Sequence, residues 1–145
     1  MSRVNYKKMA ERNGFTLIEL LVVLTIIALL GAVVGPQVMK QLSGAKSKTA
    51  RMQIEDFSAG LDLFSLENGR YPETQEGLKA LIEAPPGLEN WNGPYLKKKK
   101  IPQDPWNHDY HYKSPGDNGP YDLYSYGADN APGGDNDDAD ILSWE

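Results

Sequence analysis

The sequence predicts an α+β fold in which a long N-terminal helix, apolar in its first half and amphipathic in its second, packs on a small antiparallel sheet. An uninterrupted apolar run, FTLIELLVVLTIIALLGAVVG, fills residues 15–35. Ile54, Phe57, Leu61 and Phe64 then recur at the spacing of one helix face. The rest is rich in Gly, Pro, Asn and Tyr, with short alternating runs at Tyr110–Lys113 and Tyr121–Tyr126 that read as strands of a three-stranded sheet. At 145 residues there is room for one modest globular domain beyond the apolar run.

At 1.5 Å per residue the apolar run makes about 30 Å of helix, enough to cross a bilayer core. Arg3, Lys7, Lys8 and Arg12 precede it against a single Glu11. That charge bias keeps the N-terminus cytoplasmic and sends the bulk of the chain across. An ordinary secretory signal has a shorter apolar core followed by small residues, whereas here the helical pattern continues beyond the run. Two residues do not suit a plain anchor. Glu19 places a carboxylate in the run, where insertion costs about 3 kcal/mol at a helix centre and less near an end. It is either tolerated at the interface or paired with a cation; an amino group exposed by cleavage before Phe15 of a neighbouring subunit would serve. Pro36, just past the run, removes a helix hydrogen bond and predicts a kink or local melting.

The amphipathic stripe Ile54–Phe64 is expected to be core, with Val38, Leu42 and Ala45 extending it thinly upstream. Asn68-Gly69 supplies a helix stop. Leu78, Leu81 and Ile82 suggest a short helix ended by Pro85-Pro86-Gly87. Lys97–Lys100 is expected to be a solvated patch. His108 and His111, at i and i+3 on a strand, point to opposite faces and do not make a zinc site. There is no Ser-His-Asp order, phosphate-cradling glycine motif or cysteine, so the expectation is a protein that is not an enzyme and has no disulfide. The charge layout, with a basic head before the apolar span and an acidic tail, points to membrane topology and cation binding and away from nucleic acid.

Residues 129–140 hold five aspartates, and Asp129 to Glu145 carries no basic residue. Hard oxygens at irregular spacing suit calcium, and magnesium less well because it demands tighter octahedral geometry. An EF-hand counted from Asp129 places Gly134 and Asp140 suitably, but Ala131 and Gly133 fall where side-chain oxygens are needed, so that motif fails. On the residues alone, a solvated acidic loop and a calcium site both stay open.

Lys8, Arg12 and Gly14-Phe15-Thr16-Leu17-Ile18-Glu19 resemble the class III signal of type IV pilins and pseudopilins. The head narrows that resemblance. Gly69-Arg70-Tyr71-Pro72, Gln75-Glu76-Gly77-Leu78, Gly93-Pro94-Tyr95-Leu96, Pro102-Gln103-Asp104-Pro105-Trp106, Ser114-Pro115-Gly116, Tyr121-Asp122-Leu123-Tyr124-Ser125 and Gly127-Ala128-Asp129 are similar to the major pseudopilin family of the type II secretion system. Asn107 and Asn130 stand where that family often has glycine, and Leu142-Ser143-Trp144 departs from its closing motif; asparagine tolerates a left-handed turn better than most residues.

The resemblance implies a type IV pilin-like fold divided into a leader (1–14), a transmembrane and filament-core helix (15–35) and a periplasmic head (36–145). It implies cleavage between Gly14 and Phe15 by a prepilin peptidase, N-methylation of Phe15, and assembly roles for Glu19 and Pro36. It also implies a calcium ion held by side chains of Asp129 and Asp140 and main-chain oxygens of Tyr126 and Ala131, with Asp135 or Asp137 as a further ligand. The implied partners are further copies in a helical filament, minor pseudopilins, an inner-membrane assembly platform and the membrane, in a Gram-negative envelope. The implied function is the major structural subunit of a pseudopilus that helps export folded proteins. A type IV pilus subunit and a membrane-anchored calcium-binding or hydrolytic periplasmic domain are the alternatives.

Overall fold

The computed structural model describes residues 14–145. Apart from Gly14, the expected leader lies outside the described residues. The elements, in order, are helix α1 (Leu17–Asn68), a 3-10 turn (Gly77–Leu81), strands β1 (His111–Lys113) and β2 (Asp122–Ser125), a second 3-10 turn (Asn136–Asp138) and strand β3 (Ile141–Leu142). The chain divides into two compact units at residues 39 and 40.

In the first unit, residues 14–39 place every apolar side chain of the run in the open, from Phe15 at 78% exposed to Val34 at 52%. The segment is long and apolar enough to cross a membrane by length and composition. Of the kink or local melting expected at Pro36, the melting is not seen: α1 is helical through it. A single proline removes one N–H bond and strains one turn, while the bonds on either side remain.

In the second unit, α1 supplies Ala50, Ile54, Phe57, Leu61 and Phe64 to one buried face. They pack with Leu78, Ala80 and Leu81 of the first 3-10 turn and with Tyr110, Leu123 and Ile141 from the sheet region. The expected core stripe is therefore observed, but its upstream extension is not: Val38 and Leu42 are about half exposed. Edge-to-face aromatic pairs add direction to the packing, with Phe57–Tyr110 centroids 5.1 Å apart and Phe64–Tyr95 centroids 5.5 Å apart. Gly60 lets the chain approach α1 closely, since a Cβ there would lie 3.2 Å from Leu96 Cδ2.

The helix stops where its sequence says. Gly69 takes φ of +72° and its N–H donates to Ser65 O at 2.8 Å, a glycine termination that satisfies a last-turn carbonyl. Arg70 then donates two bonds to Glu76, at 2.6 and 2.8 Å, and Glu76 also accepts from Glu73 N at 2.7 Å. The bidentate Arg70 bond holds the Glu76 carboxyl below its ordinary range. The short helix expected at 78–82 is a five-residue 3-10 turn, a length that cannot repay α-helix nucleation. The sheet is antiparallel with order β1-β2-β3, pairing Tyr112 with Leu123 and Ser125 with Ile141. Tyr112 donates to Pro72 O at 2.8 Å, and burial pushes its hydroxyl up to about 12.

Leu61 is fully buried at the centre of this core. Leu61→Ala is expected to lower head stability by about 2–5 kcal/mol, read as a reduced denaturation midpoint with an unchanged denaturant slope.

Candidate functional site

The first candidate region is the entry to α1. Gly14, Phe15 and Thr16 precede the helix, and all three are exposed. Thr16 occupies the N-cap position, and Glu19 lies three residues on. Glu19 N–H donates to Thr16 Oγ1 at 3.3 Å, and Thr16 N–H donates to Glu19 Oε2 at 3.5 Å. This reciprocal arrangement is a capping box, and Glu19 also faces the positive end of the helix dipole. Within one chain the carboxylate thus accepts one long bond, from Thr16 N–H. The Thr-x-x-Glu signal for this cap stands in the sequence beside the cleavage motif.

The second region is the acidic loop, which hangs from β2 through a buried polar knot. Asp104, 3% exposed, accepts from Trp106 N at 3.0 Å, His108 N at 2.8 Å and Ser125 Oγ at 2.6 Å. His108 Nδ1 lies 3.1 Å from Gly127 O, and Gly127 N–H donates to Ser125 Oγ at 3.2 Å. This trio is no nucleophile arrangement: Ser125 is completely buried and bonds the carboxylate directly, while the imidazole faces a carbonyl. Its effect is to fix the chain at Gly127 where the loop departs. His111 goes elsewhere, stacked 5.1 Å from Tyr124 and tilted against Tyr126 at 4.7 Å. The neighbouring Tyr126 hydroxyl, with burial second, pushes the Tyr124 hydroxyl up to about 12.

Within the loop the expected ligands are treated unequally. Asp129 is exposed, and its Oδ1 accepts from Ala131 N at 3.1 Å. Asp140 Oδ2 accepts from Gly133 N at 3.0 Å, closing the loop on itself, and Ala128 N donates to Asp137 O at 2.8 Å. The Asp137 atom in that bond is its main-chain oxygen; the Oδ1 atoms of Asp137 and Asp140 are buried without a hydrogen-bond partner. Asp135 is exposed and caps the second 3-10 turn without a side-chain bond. Tyr126 is half-buried and Ala131 exposed. No three carboxylate or imidazole side chains converge among the described residues. A cation here would therefore have to draw on main-chain oxygens as well as aspartates. Two orphaned carboxylate oxygens are nonetheless what a hard cation would satisfy, because a buried carboxylate oxygen without a partner is costly. The residues fit calcium in that mixed form. The backbone agrees with this tight path: Asn107, Asn130 and Asn136 take φ of 69°, 53° and 57°, so the first two tolerate the left-handed turns expected of them.

Gly127 carries the sharpest constraint. Its φ is +68°, and a Cβ would lie 2.6 Å from Asp137 O. Gly69, at φ +72°, has open space instead. Gly127→Ala is expected to destabilise the head by about 1–3 kcal/mol, and Gly69→Ala by about 1 kcal/mol from backbone strain alone. Urea denaturation of the two variants side by side checks the order.

Comparison with known proteins bears on both regions. A family model described as type II secretion system protein G matches residues 37–144, and one described as a prokaryotic N-terminal methylation motif matches residues 9–35. The chain is 48% identical to type II secretion system core protein G of Pseudomonas aeruginosa over 139 residues, covering 93% of this chain and 96% of that protein. It is 40% identical to the core protein G of Vibrio cholerae, covering 95% of each. The crystal structure of the major pseudopilin from the type 2 secretion system of enterohaemorrhagic Escherichia coli superposes with a TM-score of 0.60 at 30% identity, over 75% of this chain and 95% of that one. The long helix with its small three-stranded antiparallel sheet is thus a type IV pilin-like fold, and the chain belongs to the type II secretion system protein G family.

Proposed function

We propose that the chain is the major structural subunit of a type II secretion pseudopilus and has no catalytic role. The single observation that carries this reading is the apolar helix of residues 17–34, wholly exposed and opened by one carboxylate, Glu19. Such a surface needs a lipid or protein cover. A membrane covers it before assembly, and the same helices of neighbouring subunits cover it afterwards.

The chain is inserted with its N-terminus cytoplasmic, cut between Gly14 and Phe15, and methylated on Phe15. Glu19 then exchanges the weak, long bonds of its own capping box for the ammonium of Phe15 on an adjacent subunit. In a low-dielectric core that pair is much better than an isolated carboxylate, and it sets the axial register. Pro36 is the weak turn of α1 and lets the helix loosen on passing from bilayer to filament. The head stays outside the filament core, where growth of the pseudopilus helps drive folded proteins outward with minor pseudopilins and an inner-membrane platform. The match of the head to the protein G family favours secretion over an adhesive pilus.

Mature protein from its native membrane should have the mass of residues 15–145 plus one methyl group. Glu19→Ala should leave insertion and cleavage intact while abolishing filaments and secretion. Secretion at the normal level by that variant would overturn the pairing.

Calcium belongs to the same reading. Asp137 and Asp140, with their orphaned oxygens, and Asp129 would hold the ion with main-chain oxygens of Tyr126 and Ala131; exposed Asp135 is the weaker candidate. The ion would neutralise the aspartates and hold the loop against the sheet, so its binding energy becomes folding energy. Added calcium should raise the melting temperature of the head, and Asp129→Ala or Asp140→Asn should remove that response. A calcium response identical to the unmodified protein's would exclude the substituted residue as a ligand.

A further inference from the structure

The stretch of α1 after the membrane span has a charge pattern that assembly through the apolar helix does not use. Between Glu19 and Glu55 the sequence has no carboxylate, yet it holds Lys40, Lys46, Lys48 and Arg51. Lys40, Lys48 and Arg51 are exposed and Lys46 is half-buried. None of the three lysines is in an ion pair among the described residues, and Arg51 has only a 3.5 Å contact to Glu145 O. At 100° per residue Lys40, Lys48 and Arg51 share one face of the helix. Val38, Leu42 and Ala45 lie on the opposite face, and Val38 and Leu42 are about half exposed.

An unpaired cationic face opposite an exposed apolar stripe is the pattern of a helix that rests at an anionic membrane surface. Lys40 lies five residues beyond Gly35, where the apolar run ends, about 7–8 Å along the helix. The headgroup layer on each side of a bilayer core is about 5–8 Å thick, so Lys40 falls at its depth, and a stretch lying along the surface brings Lys46, Lys48 and Arg51 to the same layer. Cleavage adds a second reason. Removing residues 1–14 takes away Arg3, Lys7, Lys8 and Arg12, and no Lys or Arg occurs from 15 to 39. In the mature chain these four side chains are then the first cations after the span.

We propose that Lys40, Lys46, Lys48 and Arg51 form a basic collar that binds anionic phospholipid headgroups on the far face of the membrane. It would hold the mature subunit in the bilayer after the leader is gone. The proposal rests on the membrane-anchored reading above, and the ligand it selects is the lipid phosphate, not a second subunit. Each cation near such a surface raises local partitioning about fivefold, and salt screens the effect.

The chain has no cysteine, so Ser47→Cys provides a unique spin-label site among the cations. The full mature chain carrying this label is reconstituted into vesicles of phosphatidylcholine alone or with about 30 mol % phosphatidylglycerol. Collision with a neutral, water-soluble nickel chelate is then measured. The anionic vesicles should lower label accessibility about twofold, and about 0.5 M salt should restore it. The variant K40Q/K46Q/K48Q/R51Q should show the same accessibility in both lipids. Equal accessibility in both lipids for the unmodified collar would overturn the proposal. So would a decrease that follows protein density and not lipid charge, which would mark contact with a second copy. A label at Leu24→Cys separates the two levels: if the chelate reaches it in both vesicles, the anchor reading itself has failed. If it is shielded in both while Ser47→Cys ignores lipid charge, only the collar has failed.

Discussion

Everything in this molecule depends on one helix satisfying two solvents. The first part of α1 offers apolar side chains in every direction, which suits lipid or a bundle of identical helices. Its last part offers a single apolar face, and that face supplies Ala50, Ile54, Phe57, Leu61 and Phe64 to the head core. Three strands of two to four residues have little independent stability, so the head has no core without the helix. The segment that anchors or polymerises the subunit is therefore covalently continuous with the element on which the head folds.

The rest of the head is organised by buried polar groups placed at the mouths of loops. Asp104 gathers the Trp106 and His108 N–H groups and the Ser125 hydroxyl. Asp122 does the same for the loop before β2, accepting from Asp117 N at 2.9 Å and Asn118 N at 3.1 Å. Asp122 takes its donors from one turn, whereas Asp104 joins its own turn to Ser125 of β2, and each makes that turn rigid where it meets the sheet. The acidic loop is the exception, since its half-buried aspartates leave two oxygens without donors. Asn68 Oδ1 and Trp106 Nε1 are also buried without a partner, but the acidic loop is where the unpartnered atoms belong to carboxylates.

Much of this was legible in the sequence because the signals are local. The period of Ile54–Phe64 marks the core face, Asn68-Gly69 marks the helix end, and Asn107 and Asn130 adopt the left-handed backbone their chemistry permits. Strands β1 and β2 were also readable from alternation, whereas β3, two residues directly after the acidic loop, is too short to show a period. What could not be read depends on long-range closure. The Ser125–Asp104 bond joins residues 21 apart, and no local pattern announces it. The orphaned oxygens of Asp137 and Asp140 likewise follow from how the loop folds back, whereas composition reports only an acidic run. At Pro36 the turns on both sides keep α1 helical, so the local melting that the residue alone suggests is not seen.

The brevity of the sheet has a bearing on life in a crowded array. β1 and β3 are its two margins, three and two residues long. Exposed strand margins invite a neighbouring chain to add itself, and the invitation grows with every unpaired N–H and C=O. Heads held side by side along a fibre meet at very high local concentration, where longer margins would zip together without regard to register. Margins this short give a stray strand almost nothing to hold. Order along the fibre is left to contacts other than strand pairing.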